Sequence, residues 1–305
     1  MKKDKSFLDI FILSCLWGPS YFLIKTAVVE LPPFTLTMLR MGIATTLLYG
    51  VLKLKRIRLP NNKRLWMHCF VVGLFVNTLP SLFFNFSLLT ISTSLSALIN
   101  GTTPIMTLLL ANAFLTDERL NVTRGVGIFL GFIGFLILFL PPLFVKHIDL
   151  DLQGMLFSFL GAVSYAIANV YARKYVKHSP PYVAPVMQLS STLIYIVPLA
   201  FFIEAPIQRM ENASLTAWGA LLSLAFFGTT LAFVMFYRII QRQGATALAM
   251  VTYLLPIIGT LIGVVFLGEK IGLQFCLAAV LILLGIMVVN YKPKKPSPVV
   301  GEGGA

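Results

Sequence analysis

Ten apolar runs of about 20 residues, joined by short polar connections, divide this chain, and a helix of that length crosses the hydrocarbon core of a bilayer. Their approximate bounds are 7–27, 33–53, 64–88, 93–115, 121–141, 152–173, 181–203, 214–237, 245–267 and 271–290. The hydrocarbon core offers no water to an unpaired amide or carbonyl, so such runs are restricted to helices that satisfy their own backbone. Composition agrees: 11% of residues are charged and 58% hydrophobic, whereas a soluble domain carries about 25% charged residues. The expected fold class is an all-α polytopic membrane protein. The first run continues through Trp17 and Phe22 to Ala27, longer than the core of a cleavable signal peptide, and is expected to be retained. Cys15, Cys69 and Cys276 fall inside runs, where a thiol is a small packing group, and their spacing fits no disulfide framework or metal site.

A formal net charge of +13 raises the question of an acidic partner, and its distribution answers it. Sorted by alternate connections, nineteen basic residues fall on one side: Lys2, Lys3, Lys5, Lys53, Lys55, Arg56, Arg58, Lys63, Arg64, Arg119, Arg124, Arg173, Lys174, Lys177, Arg238, Arg242, Lys292, Lys294 and Lys295. The other side holds Lys25, Lys146, Arg209 and Lys270, and Arg40 lies within a run. Connections that stay in the cytoplasm retain Lys and Arg, so the first set and both termini are expected inside, in a cell inner membrane. The basic excess is then a topology signal, and no nucleic-acid partner is expected.

The chain also repeats itself. Pro104 aligns with Pro256 and Ala97 with Ala249 at an offset of 152 residues, and Glu118-Arg119 falls one residue out of register with Glu269-Lys270. At an offset of 148, Trp17 aligns with Tyr165, Lys25 with Arg173, Pro33 with Pro181 and Arg40 with Gln188. Five is an odd number of crossings, so the second copy enters from the opposite side. The expectation is ten transmembrane helices in two inverted five-helix repeats, the arrangement of secondary transporters whose substrates bind between the halves. The expected segments are a cytoplasmic N-terminus (1–6), a first repeat (7–141), an external linker (142–151), a second repeat (152–291) and a disordered cytoplasmic tail (292–305).

The first run "LWGPSYFLIK", the second "PPFTLTMLRMGIA", and the paired "FLTDERLNVTRGVGIFLGFIGFLIL" and "FLGEKIGLQFCLAAVLILLGIMVVN" together resemble the EamA family of the drug/metabolite transporter superfamily, over about residues 7–291. The resemblance implies a helical bundle around a central cavity, alternating access and a small metabolite as cargo, with amino-acid export a frequent role.

Several polar residues inside runs are candidates for that cavity. Pro104 removes a backbone donor and should kink the fourth helix, freeing carbonyls near Asn100 and Gly101; Pro256, beside Thr252 and Tyr253, has the same reading. Both prolines are taken as hinges, against the alternative of close helix packing. Asp117, Glu118 and Arg119, like Glu269 and Lys270, are read as polar hairpins ending one run and starting the next. Arg40 is too deep for an interfacial anchor: it can attract a substrate carboxylate, or act structurally by snorkelling or capping neighbouring carbonyls. Trp17 and Tyr21, like Tyr165 and Asn169, sit at i, i+4 spacing on matched helices, so each pair shares a face. With Asn77, Asn100 and Tyr253 they complete the expected substrate-binding set, and Ser20, Thr78, Asn85, Gln188, Thr229, Thr230 and Phe84 accompany them.

Aromatic and amide walls suit a small neutral or zwitterionic metabolite such as an amino acid. Acidic residues fall near run ends or in connections, so a proton-coupled drug or cation exporter, with Asp9 as its proton site, is the alternative. An intramembrane enzyme would need a nucleophile and base or metal ligands at depth, whereas His147 and His178 lie in connections and His68 near the cytoplasmic end of the third run, with no acidic or cysteine partner at ligand spacing; a channel would show charged rings. No cofactor or metal is expected. The partners are the substrate and the lipid bilayer, and the chain is expected to act as a monomer, with a homodimer as the alternative.

Overall fold

A computed structural model describes residues 2–114, 122–139, 151–176, 179, 182–243 and 245–290. These residues are helical, with no strand among them. The helices are α1 (Lys2–Trp17), α2 (Ser20–Val28), α3 (Pro33–Leu54), α4 (Lys63–Gly73), α5 (Leu79–Thr90), α6 (Thr93–Asn100), α7 (Thr103–Phe114), α8 (Val122–Phe139), α9 (Leu152–Tyr175), α10 (Val183–Glu204), α11 (Pro206–Glu211), α12 (Leu215–Ala225), α13 (Ala232–Gln243), α14 (Ala245–Leu267) and α15 (Leu273–Asn290). Single π-turns, Leu74–Thr78 and Phe226–Leu231, join α4 to α5 and α12 to α13. Seven stretches are long and apolar enough to cross a membrane: Leu8–Val28, Pro33–Leu54, Lys63–Thr90, Thr93–Phe114, Leu152–Tyr175, Val183–Glu204 and Leu215–Ile239. Shorter apolar stretches lie in α8, α14 and α15. Most of the expected linker, the whole 115–120 connection with Asp117, Glu118 and Arg119, and the tail lie outside the described residues.

The burial pattern is that of a polytopic membrane protein. Phe202 and Leu215 are each 90% exposed, while Asn77, Asn85 and Gln188 are each 1% exposed. Water would reverse that sorting, because amides cost little at an aqueous surface and apolar rings do not. Lipid contact accounts for the apolar exterior, and the buried amides find partners inside the bundle. Asn85 donates from Nδ2 to the Pro33 carbonyl and to Thr37 Oγ1, both at 3.0 Å. Ser158 Oγ lies 2.7 Å from Ser87 Oγ and 2.6 Å from Ser96 Oγ, which ties α9 to α5 and α6.

Two membrane stretches are divided where the sequence supplies Gly and Pro or Thr. The first breaks at Gly18-Pro19 between α1 and α2, and the fourth at Gly101-Thr102 between α6 and α7. Pro104 therefore sits in the first turn of α7, where its missing N–H costs nothing. The carbonyls near the break are recaptured locally: Gly101 N donates to Ala97 O at 3.1 Å and Thr102 Oγ1 to Ile99 O at 2.7 Å. Pro256 lies within the unbroken α14. The π-turns have a similar economy. The inserted residue unpairs a carbonyl, and a threonine hydroxyl five residues on takes it: Thr78 to Gly73 O at 3.4 Å and Thr230 to Ala225 O at 2.9 Å.

Helix starts are tied to distant parts of the chain by carboxylates. Glu204, ending α10, accepts from the amides of Phe34 (3.1 Å) and Thr35 (2.7 Å) at the start of α3. Glu30 accepts from Ser214 N at 2.6 Å, just ahead of α12. Glu269 accepts from Thr93 N (2.6 Å), Thr93 Oγ1 (2.7 Å), Ser94 N (2.9 Å) and Ser94 Oγ (2.5 Å) at the start of α6. It thus does more than close the polar hairpin read from the sequence. Close packing elsewhere uses glycine: a Cβ on Gly285 of α15 would lie 2.6 Å from the Gly127 carbonyl of α8, so only glycine lets these helices approach.

Burial alone would raise the pKa of the Glu269 carboxyl, but the bonds from Ser94 and Thr93 outweigh it and hold the group below its ordinary value. Its contribution to stability is therefore complete above the ordinary carboxylate range and is lost as pH falls through the depressed folded value. Glu269→Gln is expected to cost about 1 kcal/mol at neutral pH. Melting curves in detergent should show a lower Tm for the variant at pH 7 and a closing gap in acid; a gap constant with pH would refute the capping role.

Candidate functional site

The polar interior is assembled by α2, α3, α5, α6, α9 and the second π-turn. Arg40 projects from α3 and is part-buried. Its Nε donates to Thr229 Oγ1 at 2.7 Å and its Nη1 to Ser81 Oγ at 3.4 Å. Thr229 can serve because it sits in the π-turn, where its own hydroxyl donates to Leu224 O at 3.1 Å and leaves its lone pairs to the guanidinium. No carboxylate among the described residues pairs with Arg40, so its charge is held only by neutral hydroxyls beside Tyr165.

An aromatic row adjoins the guanidinium. Tyr21 meets Phe84 edge-on at 5.6 Å, and Phe84 stacks on Tyr165 at 5.8 Å with 27° between planes. The row has to fit against bare backbone: a Cβ on Gly161 would lie 2.9 Å from the Phe84 ring. The Tyr21 hydroxyl faces the Asn100 side chain, and Asn100 Oδ1 accepts from Thr103 Oγ1 at 2.9 Å across the break between α6 and α7. Trp17, at the other break, donates from Nε1 to the Gly228 carbonyl of the π-turn at 3.2 Å and packs against Phe236 at 5.8 Å. Five of the residues expected from the sequence, Trp17, Tyr21, Arg40, Asn100 and Tyr165, therefore share one region.

Asn169, one turn beyond Tyr165 on α9, donates weakly to Thr107 Oγ1 of α7 at 3.5 Å, one turn beyond the Thr103 that bonds Asn100. Asn77 lies elsewhere, buried against α10, where its Nδ2 donates to Thr192 Oγ1 at 3.3 Å and its Oδ1 finds no partner among the described residues. The side chains of Tyr253 and Pro256 lie outside what the structure describes. Asp9, the alternative proton site, is 3.6 Å from Arg238 Nε and so is paired with a cation of α13. Ser81 and the π-turns leave no mark in run length or charge. The threonines at 78 and 230, each five residues after the carbonyl it rescues, are the available signal.

A search against family models places residues 6–140 and 152–291 in the EamA-like transporter family. The chain belongs to that family. It is 24% identical over 291 residues to an uncharacterized transporter of Archaeoglobus fulgidus, covering 94% of this chain and 99% of the relative. It is 26% identical to a probable amino-acid metabolite efflux pump of Salmonella typhimurium (94% and 95% covered) and 27% identical to one so named in Escherichia coli (89% and 90%). A solved crystal structure 21% identical in sequence superposes with a TM-score of 0.67 over 94% of this chain and 97% of its own, which shows a shared fold. The family and these relatives are transporters, and the EamA-like fold accounts for a lipid-facing exterior around a polar interior.

The fit between Gly161 and Phe84 is directly testable. Gly161→Val should displace the ring and cost roughly 1–3 kcal/mol by overpacking. Phe84→Leu in the same chain should recover part of that loss. Additive Tm changes in the double variant would show that the two positions do not touch.

Proposed function

We propose that this EamA-like protein is a secondary transporter that moves a small zwitterionic or neutral metabolite, an amino acid or a close relative, out of the cell by alternating access. The observation that carries the reading is Arg40: a guanidinium in the bundle interior, bonded to Thr229 and Ser81 with no acidic partner among the described residues, and beside Tyr165, on which Phe84 stacks. A buried cation held only by hydroxyls is incompletely compensated, and a substrate carboxylate supplies the missing charge in the planar, two-pronged geometry a guanidinium favours. Tyr21, Tyr165 and Trp17 offer the apolar faces, and Asn100 offers polar contacts to an amino group. The names of the two efflux-pump relatives support amino-acid-related cargo and the outward direction.

The same reading includes ten membrane helices in two inverted repeats. Exchanging membrane stretches five places apart in the expected ten converts the α2–α12 and α1–α13 contacts (first with eighth) into α9–α4 and α9–α5 (sixth with third), and the α1–α14 contact (first with ninth) into α9–α7 (sixth with fourth), while α3–α10, α6–α14 and α8–α15 map onto themselves. The π-turns begin at Leu74 and Phe226, 152 residues apart, as Pro104 and Pro256 are. The family model also matches twice, at 6–140 and 152–291. The charge split supports a cytoplasmic location for both termini. Breaks at Gly18-Pro19 and Gly101-Thr102, beside Trp17 and Asn100, are the positions where bending would change access to Arg40. The pairing of Asp9 with Arg238 weighs against proton-coupled export of cations.

Flux in proteoliposomes tests this. Labelled neutral and aromatic amino acids should show saturable transport indifferent to a pH gradient, whereas an organic cation should not be carried. Arg40→Gln should abolish carboxylate-dependent uptake, Arg40→Lys should retain a fraction of it, and Asn100→Ala or Tyr253→Ala should weaken it, all in protein of near-normal Tm. Gradient-driven cation flux insensitive to Arg40→Gln would overturn the proposal. Labelling of single cysteines at positions 58 and 209 from either face tests the orientation separately.

A further inference from the structure

A second feature lies away from the polar interior, at the end of the bundle where the connection after α3 meets the start of α4 and the end of α9. A cavity of about 590 Å³ there is lined by Ile57, Arg58, Arg64, Leu65, His68 and Lys174, with Tyr175 and Val183 completing its walls. We infer that this cavity binds the phosphate of an anionic lipid headgroup.

The charge count motivates the inference. Residues 53–64 and 173–177 supply nine Lys and Arg, while no Asp or Glu occurs anywhere between positions 31 and 116 or between 152 and 203. Retention of basic residues in the cytoplasm explains why this end is positive, but it requires no concave site. The cavity gathers three of these cations around one space, with no acidic residue among its described lining. Three like charges so arranged repel one another until an anion enters, and a phosphate accepts from all of them.

The walls are built, not incidental. Trp66 Nε1 donates to the Pro60 carbonyl at 3.2 Å and the Leu65 amide to Asn62 Oδ1 at 3.1 Å, which fixes the connection against α4. His68 stacks on Tyr175 at 4.6 Å with 10° between planes, and its Nδ1 lies 2.9 Å from the Tyr171 hydroxyl, leaving Nε2 as the ring nitrogen available to a ligand. The apolar part of the lining points to a lipid over a freely soluble phosphate. One turn below Arg64 on α4, Met67 is exposed at 57%, so an acyl chain would run past it while its headgroup occupied the cavity. Basic pockets between membrane helices on the cytoplasmic side suit anionic headgroups in this way.

The inference rests on the orientation proposed above only in naming the leaflet, and its test does not depend on that orientation. Native mass spectrometry of the full-length protein, taken from micelles containing phosphatidylglycerol and phosphatidylcholine, reads lipid retention directly. Substituting Arg58→Gln, Arg64→Gln and Lys174→Gln together should weaken phosphatidylglycerol retention about fivefold per charge, roughly two orders of magnitude in all, with phosphatidylcholine unchanged. Arg58→Lys with Arg64→Lys should keep retention within a few-fold and shows that the fold survives changes here. Lys2→Gln, Lys3→Gln and Lys5→Gln, which remove the same charge, should leave retention intact. Inorganic phosphate followed by ³¹P line broadening separates the sources: broadening lost in the cavity triple, without a change in lipid retention, would assign the site to a soluble phosphate and refute the lipid. Equal loss of lipid in both triples, or loss in neither, would overturn the site altogether. Should labelling place position 58 on the external face while the lipid results hold, the orientation fails and the site stands.

Discussion

Every backbone amide and carbonyl in the hydrocarbon core needs a partner from the protein itself, and the least regular features of this chain follow from that constraint. A helix may end, break or take an extra residue inside the bundle only where something nearby supplies the missing bond. Thr78 and Thr230 supply it at the π-turns, Thr102 and Gly101 at the α6–α7 break, and Glu204 and Glu269 at two helix starts. Two of these irregularities, the second π-turn and the α6–α7 break, border the candidate site. The second π-turn presents Thr229 to Arg40 and the Gly228 carbonyl to Trp17, and the α6–α7 break turns Asn100 toward Tyr21.

The pairing of Arg40 with Gln188 in the sequence gains physical content from the surroundings of each. Arg40 lies against the π-turn threonine at 229; Gln188 lies near Asn77, which occupies the corresponding place in the other π-turn. On the Gln188 side the polar groups are fully buried. Tyr237 donates to Gln188 Oε1 at 2.8 Å, while Gln188 Nε2 and Asn77 Oδ1 have no partner among the described residues. Similar local architecture thus carries a cation beside one π-turn and neutral amides beside the other, and the largely buried aromatic row accompanies the cation.

How far the sequence discloses this depends on the kind of interaction. Apolar runs are legible because their signal is summed over some 20 residues, and the described helices fall on them. Arg40 is legible because a charge amid apolar residues stands out alone. Pro104 marks an irregularity that the backbone places at Gly101-Thr102, two residues earlier, since proline is accommodated at the start of a new helix better than in the middle of an old one. Ser81 and the π-turns were not legible: one inserted residue leaves the average hydropathy unchanged, and a serine or threonine inside a helix usually bonds its own backbone. The reach of Glu204 and Glu269 was equally hidden, because a carboxylate at the end of a run reads as an interfacial residue until its distant partner is known.

Those carboxylates also impose an order on biosynthesis. The start of α3 waits for Glu204 and the start of α6 for Glu269, which emerge from the ribosome 169 to 176 residues after the amides they cap. In the other direction Glu30 stands ready 184 residues before Ser214. For most of its synthesis the first half of the chain is inserted but unfinished, with helix ends dependent on the membrane interface for hydration. Closure of the bundle is thereby deferred to the last helices, so a chain truncated before Glu269 would lack the group that completes α6 even though every residue of that helix was already in the membrane.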